Sequence, residues 1–576
     1  MKSKHLTGFF LVTLIEGSLS QAVLLTLQFD AGRGHLLNYT SLRWALAGIF
    51  FLVLAGLLAA TIGAFRQARW SQRFLAYLDM QMVGAQARLF LIQGGLLIAG
   101  MFLFECFLLT YLAFPIPTRP LFFWASLASF EAWLTFRMAY KEQYRERPSL
   151  VARLRAKWNG FLPVQRKVFI ILAITGLVYF LFFIPINMLP NSYGQFTLLG
   201  DEQVIYPDVV KIFSAQPNFG AAVQNILGTW PWWYGYPYLP ISASVLIIPR
   251  LIFGNQFTAH MNLNIGLMRQ FVSVLPMVLA IMLAVYLVTR FKSVWRSVGM
   301  FAFLLLVPGI VKINIHFWHP DSIILCLILL TIYFLQKDDL RFGRYFYLAA
   351  LACGLATAIK LFGLFFVLAI AGYLAAGLLQ KKLTLKKSVL AGAGFILVMI
   401  MTIVISSPSL LAPYITKVAL ASWFDQQHKI LSGPSLVDTE GLYQTNLPNW
   451  LKYFGFHYMK SYFFYFAYLA LGAGSVWGAK KYLNRILLAW SVPTTIFLVY
   501  FSAMKNFQYM LPVAVPLFCG ACLFPSIAEA PADSKWSAFL GRPVSRKIIQ
   551  VVTIVLFASQ LIINLVILYL LVVRGR

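Results

Sequence analysis

Residues 168–189 read VFIILAITGLVYFLFFIPINML, an apolar run without a charge, preceded at once by Arg166 and Lys167 and followed by a polar loop that carries Gly200-Asp201-Glu202. The hydrocarbon core of a bilayer is crossed by about 20 consecutive apolar residues in helical form, so this run reads as a membrane-spanning helix. Lys and Arg gather on the cytoplasmic side of such helices. The start of the run is therefore expected inside, and Asp201-Glu202 on the external face.

The rest of the chain repeats the pattern. Of 576 residues, 60% are hydrophobic and 11% charged, and the mean hydropathy is +0.77. That is more apolar surface than a soluble domain can bury. The predicted class is all-α, a polytopic transmembrane helical bundle with about 4 N-terminal spans and about 11 core spans. The N-terminal spans are expected at 6–28, 44–65, 89–114 and 121–138, which divides the chain into a four-helix extension, 1–164, and a transmembrane core, 165–576.

A net charge of +29 raises the question of nucleic acid. The cations, however, fall in short clusters between apolar runs, as cytoplasmic loops do, and this argues against nucleic-acid binding. Residues 137–167 hold nine Lys or Arg against Glu142 and Glu146. Later clusters center on Arg290, Lys292 and Arg296, on Lys337, Arg341 and Arg344, on Lys381 to Lys387, on Lys480, Lys481 and Arg485, and on Arg542, Arg546 and Lys547. All fall inside if 239–253, short and interrupted by Pro240, Pro249 and Arg250, lies on the outer surface as a helix that does not cross.

The five cysteines lie within apolar runs, so disulfides are not expected, and Cys519-Gly-Ala-Cys522, lacking a nearby His, reads as helix packing. No cleavable leader is expected, because the first apolar run is long and carries Glu16.

Acids are scarce, 18 in all, and on the external face they gather in three places, two of them with histidine. These are Asp201-Glu202, the stretch His316-Phe-Trp-His319-Pro-Asp321, and Trp423-Phe-Asp425-Gln-Gln-His428. Distant loops that all carry carboxylates on one face, two of them with histidine, point to one shared site. A carboxylate there can act as a general base. His316 and His319, at helical spacing, with His428 and a carboxylate would form a ligand set for a divalent metal ion.

The order of motifs resembles the GT-C superfamily of polyprenyl-phosphate-sugar-dependent membrane glycosyltransferases, and is similar to its bacterial protein O-mannosyltransferase and lipid A aminoarabinose transferase relatives. The resemblance runs from Gly200-Asp201-Glu202 through Tyr236-Pro-Tyr-Leu-Pro240, Leu251-Ile-Phe-Gly254, Val307-Pro-Gly, His319-Pro-Asp321 and Ala358-Ile-Lys360 to Asn506-Phe-Gln-Tyr509-Met-Leu-Pro512. It covers roughly residues 165 to 576 and leaves the N-terminal spans outside.

It implies transfer of a sugar from a polyprenyl-phosphate donor to a glycan, lipid or protein acceptor, in a bacterial inner membrane with the site facing the periplasm. By position, Asp201 would be the base, Glu202 would orient it or the acceptor, and Asp321 would be a second acid. Lys360, with Lys505 and Tyr509, would hold the donor phosphate, and Trp233, Tyr236, Trp423 and Asp425 would contact substrate.

Plainer readings stand beside these. Asp201-Glu202 also reads as a solvated loop, Asp321 as a helix N-cap, Lys360 as a snorkelling cation, and the aromatic residues as an interfacial belt. At the level of function the rivals are a transporter or lipid flippase, and a lipid-linked polysaccharide ligase or polymerase.

Overall fold

The computed structural model describes residues 158–188, 201–214, 234–315, 318–407, 459–501, 507–529 and 539–573, with isolated positions elsewhere. The four expected N-terminal spans lie outside the described residues apart from a few positions. The chain divides into one unit made of Met1–Gly160 with Lys211–Ile226, and a second made of Phe161–Val210 with Leu227–Arg576. The second unit carries every contact described below.

Its described residues are helical, with no strand among them. Among the described residues, seven helices are long and apolar enough to cross a membrane: Pro163–Met188, Gln256–Thr289, Leu361–Leu379, Leu385–Ser406, Lys481–Phe501, Gln508–Glu529 and Pro543–Leu571. The bent pair Val294–Leu305 and Pro308–Asn314 makes an eighth if counted as one span. Its bend of 62° has a local cause. Pro308 bars Val307 from the helical region, and Val307 sits at ψ 126.

The apolar helix Tyr238–Phe253 occupies the stretch expected to lie flat. It turns Leu239, Ser242, Ala243 and Leu246 inward and leaves Ile248, Leu251 and Ile252 exposed.

The layers follow from which faces are apolar. The Gln508–Glu529 helix is central, with 83% of its apolar window buried, whereas Pro163–Met188 and Pro543–Leu571 are buried over only 17% of theirs. On the Pro163–Met188 helix, Ile170, Ile174, Leu177 and Val178 face outward. Such a continuous apolar surface suits lipid rather than water. Inside, the small-residue helix Arg344–Ile359 permits close packing. A side chain on Gly354 would stand 2.8 Å from the Met399 carbonyl.

The helix ends sort by charge. At one end Gln165 Nε2 donates to the Arg290 carbonyl at 2.8 Å, Arg290 bonds Gln336, Lys480 donates to the Val288 carbonyl, and Arg546 reaches the Ala528 carbonyl at 3.2 Å. This is the basic end. Glu202, Asp321 and Lys360 sit at the other.

Candidate functional site

Asp201-Glu202 open the helix Asp201–Lys211, which corrects the expectation of a loop. Acids in a first helical turn face the free backbone N–H groups and the positive end of the helix dipole. The side chain of Asp201 lies outside the described residues. That of Glu202 is fully buried, as is that of its partner Arg269. Arg269 Nε donates to Glu202 Oε1 at 3.0 Å and Nη2 to Oε2 at 2.7 Å. The Trp318 backbone N–H adds a third bond to Oε1 at 2.7 Å, and Arg269 Nη1 reaches the Asn187 carbonyl at 3.2 Å. One bidentate pair thus ties the Asp201 helix to the end of Pro163–Met188 and to the Trp318 segment.

Arg269 begins a π-helical turn, Arg269–Val274. Ser273, in the same turn, accepts from the His319 backbone N–H at 3.0 Å and donates back to the His319 carbonyl at 3.3 Å. A widened turn of this kind is frequent at functional sites. Here it holds both sides of residues 318–319.

His319 is not on a helical face but in the irregular segment just before the helix Asp321–Asp338. Its Nε2 pairs with the Tyr234 hydroxyl and its Nδ1 with Asp321 Oδ2. Lys360 Nζ donates to Asp321 Oδ1 at 2.8 Å, with 10% of the Lys360 side chain exposed. The ammonium lies 4.7 Å from the center of the Tyr509 ring and 5.6 Å from that of Tyr234, within cation–π range. Tyr234, His319, Asp321 and Lys360 form one connected chain.

Burial alone would push the Asp321 carboxyl up, but His319 and Lys360 outweigh it and hold the group below its ordinary value. The N-cap position belongs to Pro320, with no side-chain cap, so Asp321 serves His319 and Lys360 rather than the helix end. Lys360 is likewise held by a partner and not simply reaching for water.

Gly235 sets the spacing of this chain. Its N–H donates to the Ile359 carbonyl at 2.8 Å, and a Cβ there would lie 1.6 Å from the Ala358 carbonyl oxygen. Only glycine lets the Tyr234 segment approach the backbone next to Lys360 so closely. Tyr238 stacks on Trp318 at 5.6 Å, and Trp318 Nε1 donates to Ser242 at 3.1 Å. The aromatic segment is thereby locked to the Glu202 pair.

Other expected site residues divide. Tyr236 is buried, while Asp425 and His428 are exposed. His316, Trp233, Trp423 and Lys505 lie outside the described residues. Both ring nitrogens of His319 are engaged, and among the described residues no three His, Cys, Asp or Glu stand together as metal ligands.

Arg269, Tyr234, Ser273 and Trp318 are the partners that the sequence reading left out. Arg269 gave a signal, being the only Lys, Arg, Asp or Glu in the 34-residue helix Gln256–Thr289. Charge in such a run calls for a buried acid. Ser273 gave none.

Comparison of the chain with protein-family models, curated proteins and solved structures returns no match.

Proposed function

We propose that the chain is an integral-membrane glycosyltransferase of GT-C type, moving a sugar from a polyprenyl-phosphate donor to an acceptor on the face that carries Asp201. The observation that carries this reading is the Tyr234–His319–Asp321–Lys360 chain at the bundle end where the Asp201 helix begins. An ammonium anchored by a buried carboxylate keeps further N–H donors for a phosphate. In this reading Asp201 removes the proton from the acceptor hydroxyl or amine. The acceptor atom then bonds to the anomeric carbon as the bond from that carbon to the phosphate oxygen breaks. Charge gathers on the departing lipid phosphate, where Lys360 faces it in a medium of low dielectric. Glu202 acts by position, fixing the first turn of the Asp201 helix through Arg269.

The site's carboxylates stand at helix ends. A transporter commonly holds such groups at the bilayer midplane between broken helices, which favors the transferase.

Asp201→Asn keeps shape and removes the base, so transfer from polyprenyl-phosphate sugar in washed membranes should fall by about 10² or more, with donor accumulating and the protein still folded. Wild-type turnover by this variant would sink the assignment of Asp201.

A further inference from the structure

Sixteen residues along its helix from Ser273, about 24 Å at 1.5 Å per residue, Thr289 borders a cavity of about 530 Å³ at the basic end. Lys292, Arg296 and Lys480 line it together with Phe303, Phe557 and Leu561. Arg290 stands beside the group, its guanidinium 5.0 Å over the Tyr286 ring. Glu529 is the acid of the lining, 3.8 Å from Arg296, and both side chains are more than half exposed.

Four cations against one carboxylate leave an excess of positive charge in a lining that is otherwise largely apolar. The Lys480 amine records that excess. It is pushed down to about 8 by burial first, then by Arg290 and Arg296, with Glu529 opposing and Lys292 adding to the shift. Trp295, which also lines the cavity, is 87% exposed, as an indole at a lipid–water boundary would be. Phe557 and Leu561 belong to Pro543–Val573, one of the least buried helices.

We propose that this cavity binds an anionic phospholipid, its phosphate among Lys292, Arg296 and Lys480 and its acyl chain along Phe303, Phe557 and Leu561. Cation clusters at the end of a membrane helix bundle, with apolar walls below, take lipid headgroups by this division of labor. The site is independent of the sugar chemistry proposed at the other end.

The test uses the full chain, stripped of lipid in a neutral detergent. It is titrated with phosphatidylglycerol, with phosphatidylcholine and with glycerol 3-phosphate, and bound molecules are counted by native mass spectrometry. Wild type should prefer phosphatidylglycerol to phosphatidylcholine by about tenfold or more. Each cation near an anionic lipid contributes about 1 kcal/mol, so the variant combining Lys292→Gln, Arg296→Gln and Lys480→Gln should lose phosphatidylglycerol by about 100-fold or more. Ala558→Phe, which fills the cavity without touching charge, should weaken both lipids.

Equal binding of the two lipids would overturn the proposal, as would undiminished binding by either variant. Glycerol 3-phosphate binding as tightly as the lipid would assign the site to a soluble anion and overturn it too. If the triple variant fails to fold, Arg296→Gln alone, at an exposed position, decides the charge arm. It should lose about threefold or more.

Discussion

The two ends of the bundle handle charge in opposite ways. At the Asp201 end each buried carboxylate has its own partners: Glu202 has Arg269, and Asp321 has His319 and Lys360. At the basic end Arg290, Lys292 and Arg296 surround Lys480, with Glu529 the acid among them, beside an open cavity. Removing a charge from water costs several kcal/mol unless a partner stands close. The Asp201 end therefore sets each buried carboxylate against a cation of the protein's own, while the basic end gathers more cations than carboxylates beside its cavity. A bidentate pair holding three chain segments is architecture, and an unbalanced cluster beside an apolar wall is a receptor.

The sharpest way to break that contrast is to remove one arginine from each end. Arg269→Met leaves Glu202 buried with its two strongest bonds gone, and should cost about 3–5 kcal/mol of stability. Adding Glu202→Gln should return much of it. Arg296→Met at the exposed pair should change stability by about 1 kcal/mol or less. Thermal unfolding of the detergent-solubilized protein reads all three. Equal losses from the two arginine variants would mean that the ends do not differ as the geometry indicates.

A smaller effect tests the spacing of the Tyr234–Lys360 chain. Gly235→Ala puts a methyl group where the Ala358 carbonyl oxygen already lies, and backbone meeting backbone must yield. Overpacking of this kind costs about 1–3 kcal/mol. Because the strand of chain that moves carries Tyr234, sugar transfer should fall more than stability does. A variant that is destabilized yet transfers at the wild-type rate would separate Gly235 from the site.

The legible part of the fold was what rests on length and charge alone. The run 168–189 is long enough to cross, and the structure has it as Pro163–Met188. Basic clusters mark helix ends because cations are costly in hydrocarbon. The Asp201 helix was hidden by Pro207, which reads as a breaker in DEQVIYPDVVK but sits inside the helix, where Ile205 and Val209, one turn apart, are both buried.

Of the site, His319, Asp321 and Lys360 were visible as unusual polar residues. Their pairing across 39 positions depends on how two helices register, which no local pattern encodes. Glu202 was read as a surface acid because Arg269, 67 residues away, was passed over as one charge in an apolar run. Ser273 acts only through a π turn, and periodicity analysis assumes that such turns are absent.

The smallest expected effect is a pH dependence at the basic end, and it bears most directly on whether that end is a receptor. Lys480 is flanked by Arg290, Lys292 and Arg296, with Glu529 opposing them, and its amine loses its proton near pH 8 in place of the usual 10.5. The folded-state value is depressed, so protonation works against folding. This group's contribution is full above the ordinary lysine value and is lost as pH falls through about 8. A bound phosphate reverses the preference, since it holds the ammonium form and lifts the value. Binding should therefore take up a proton above pH 8. Phosphatidylglycerol affinity should fall by about three- to tenfold between pH 7 and 9, and Lys480→Gln should flatten that slope. Arg296→Gln, which leaves the titrating amine in place, should lower affinity while keeping a slope. An affinity independent of pH in the wild type would remove Lys480 from contact with the headgroup and leave Lys292 and Arg296 as its binding cations.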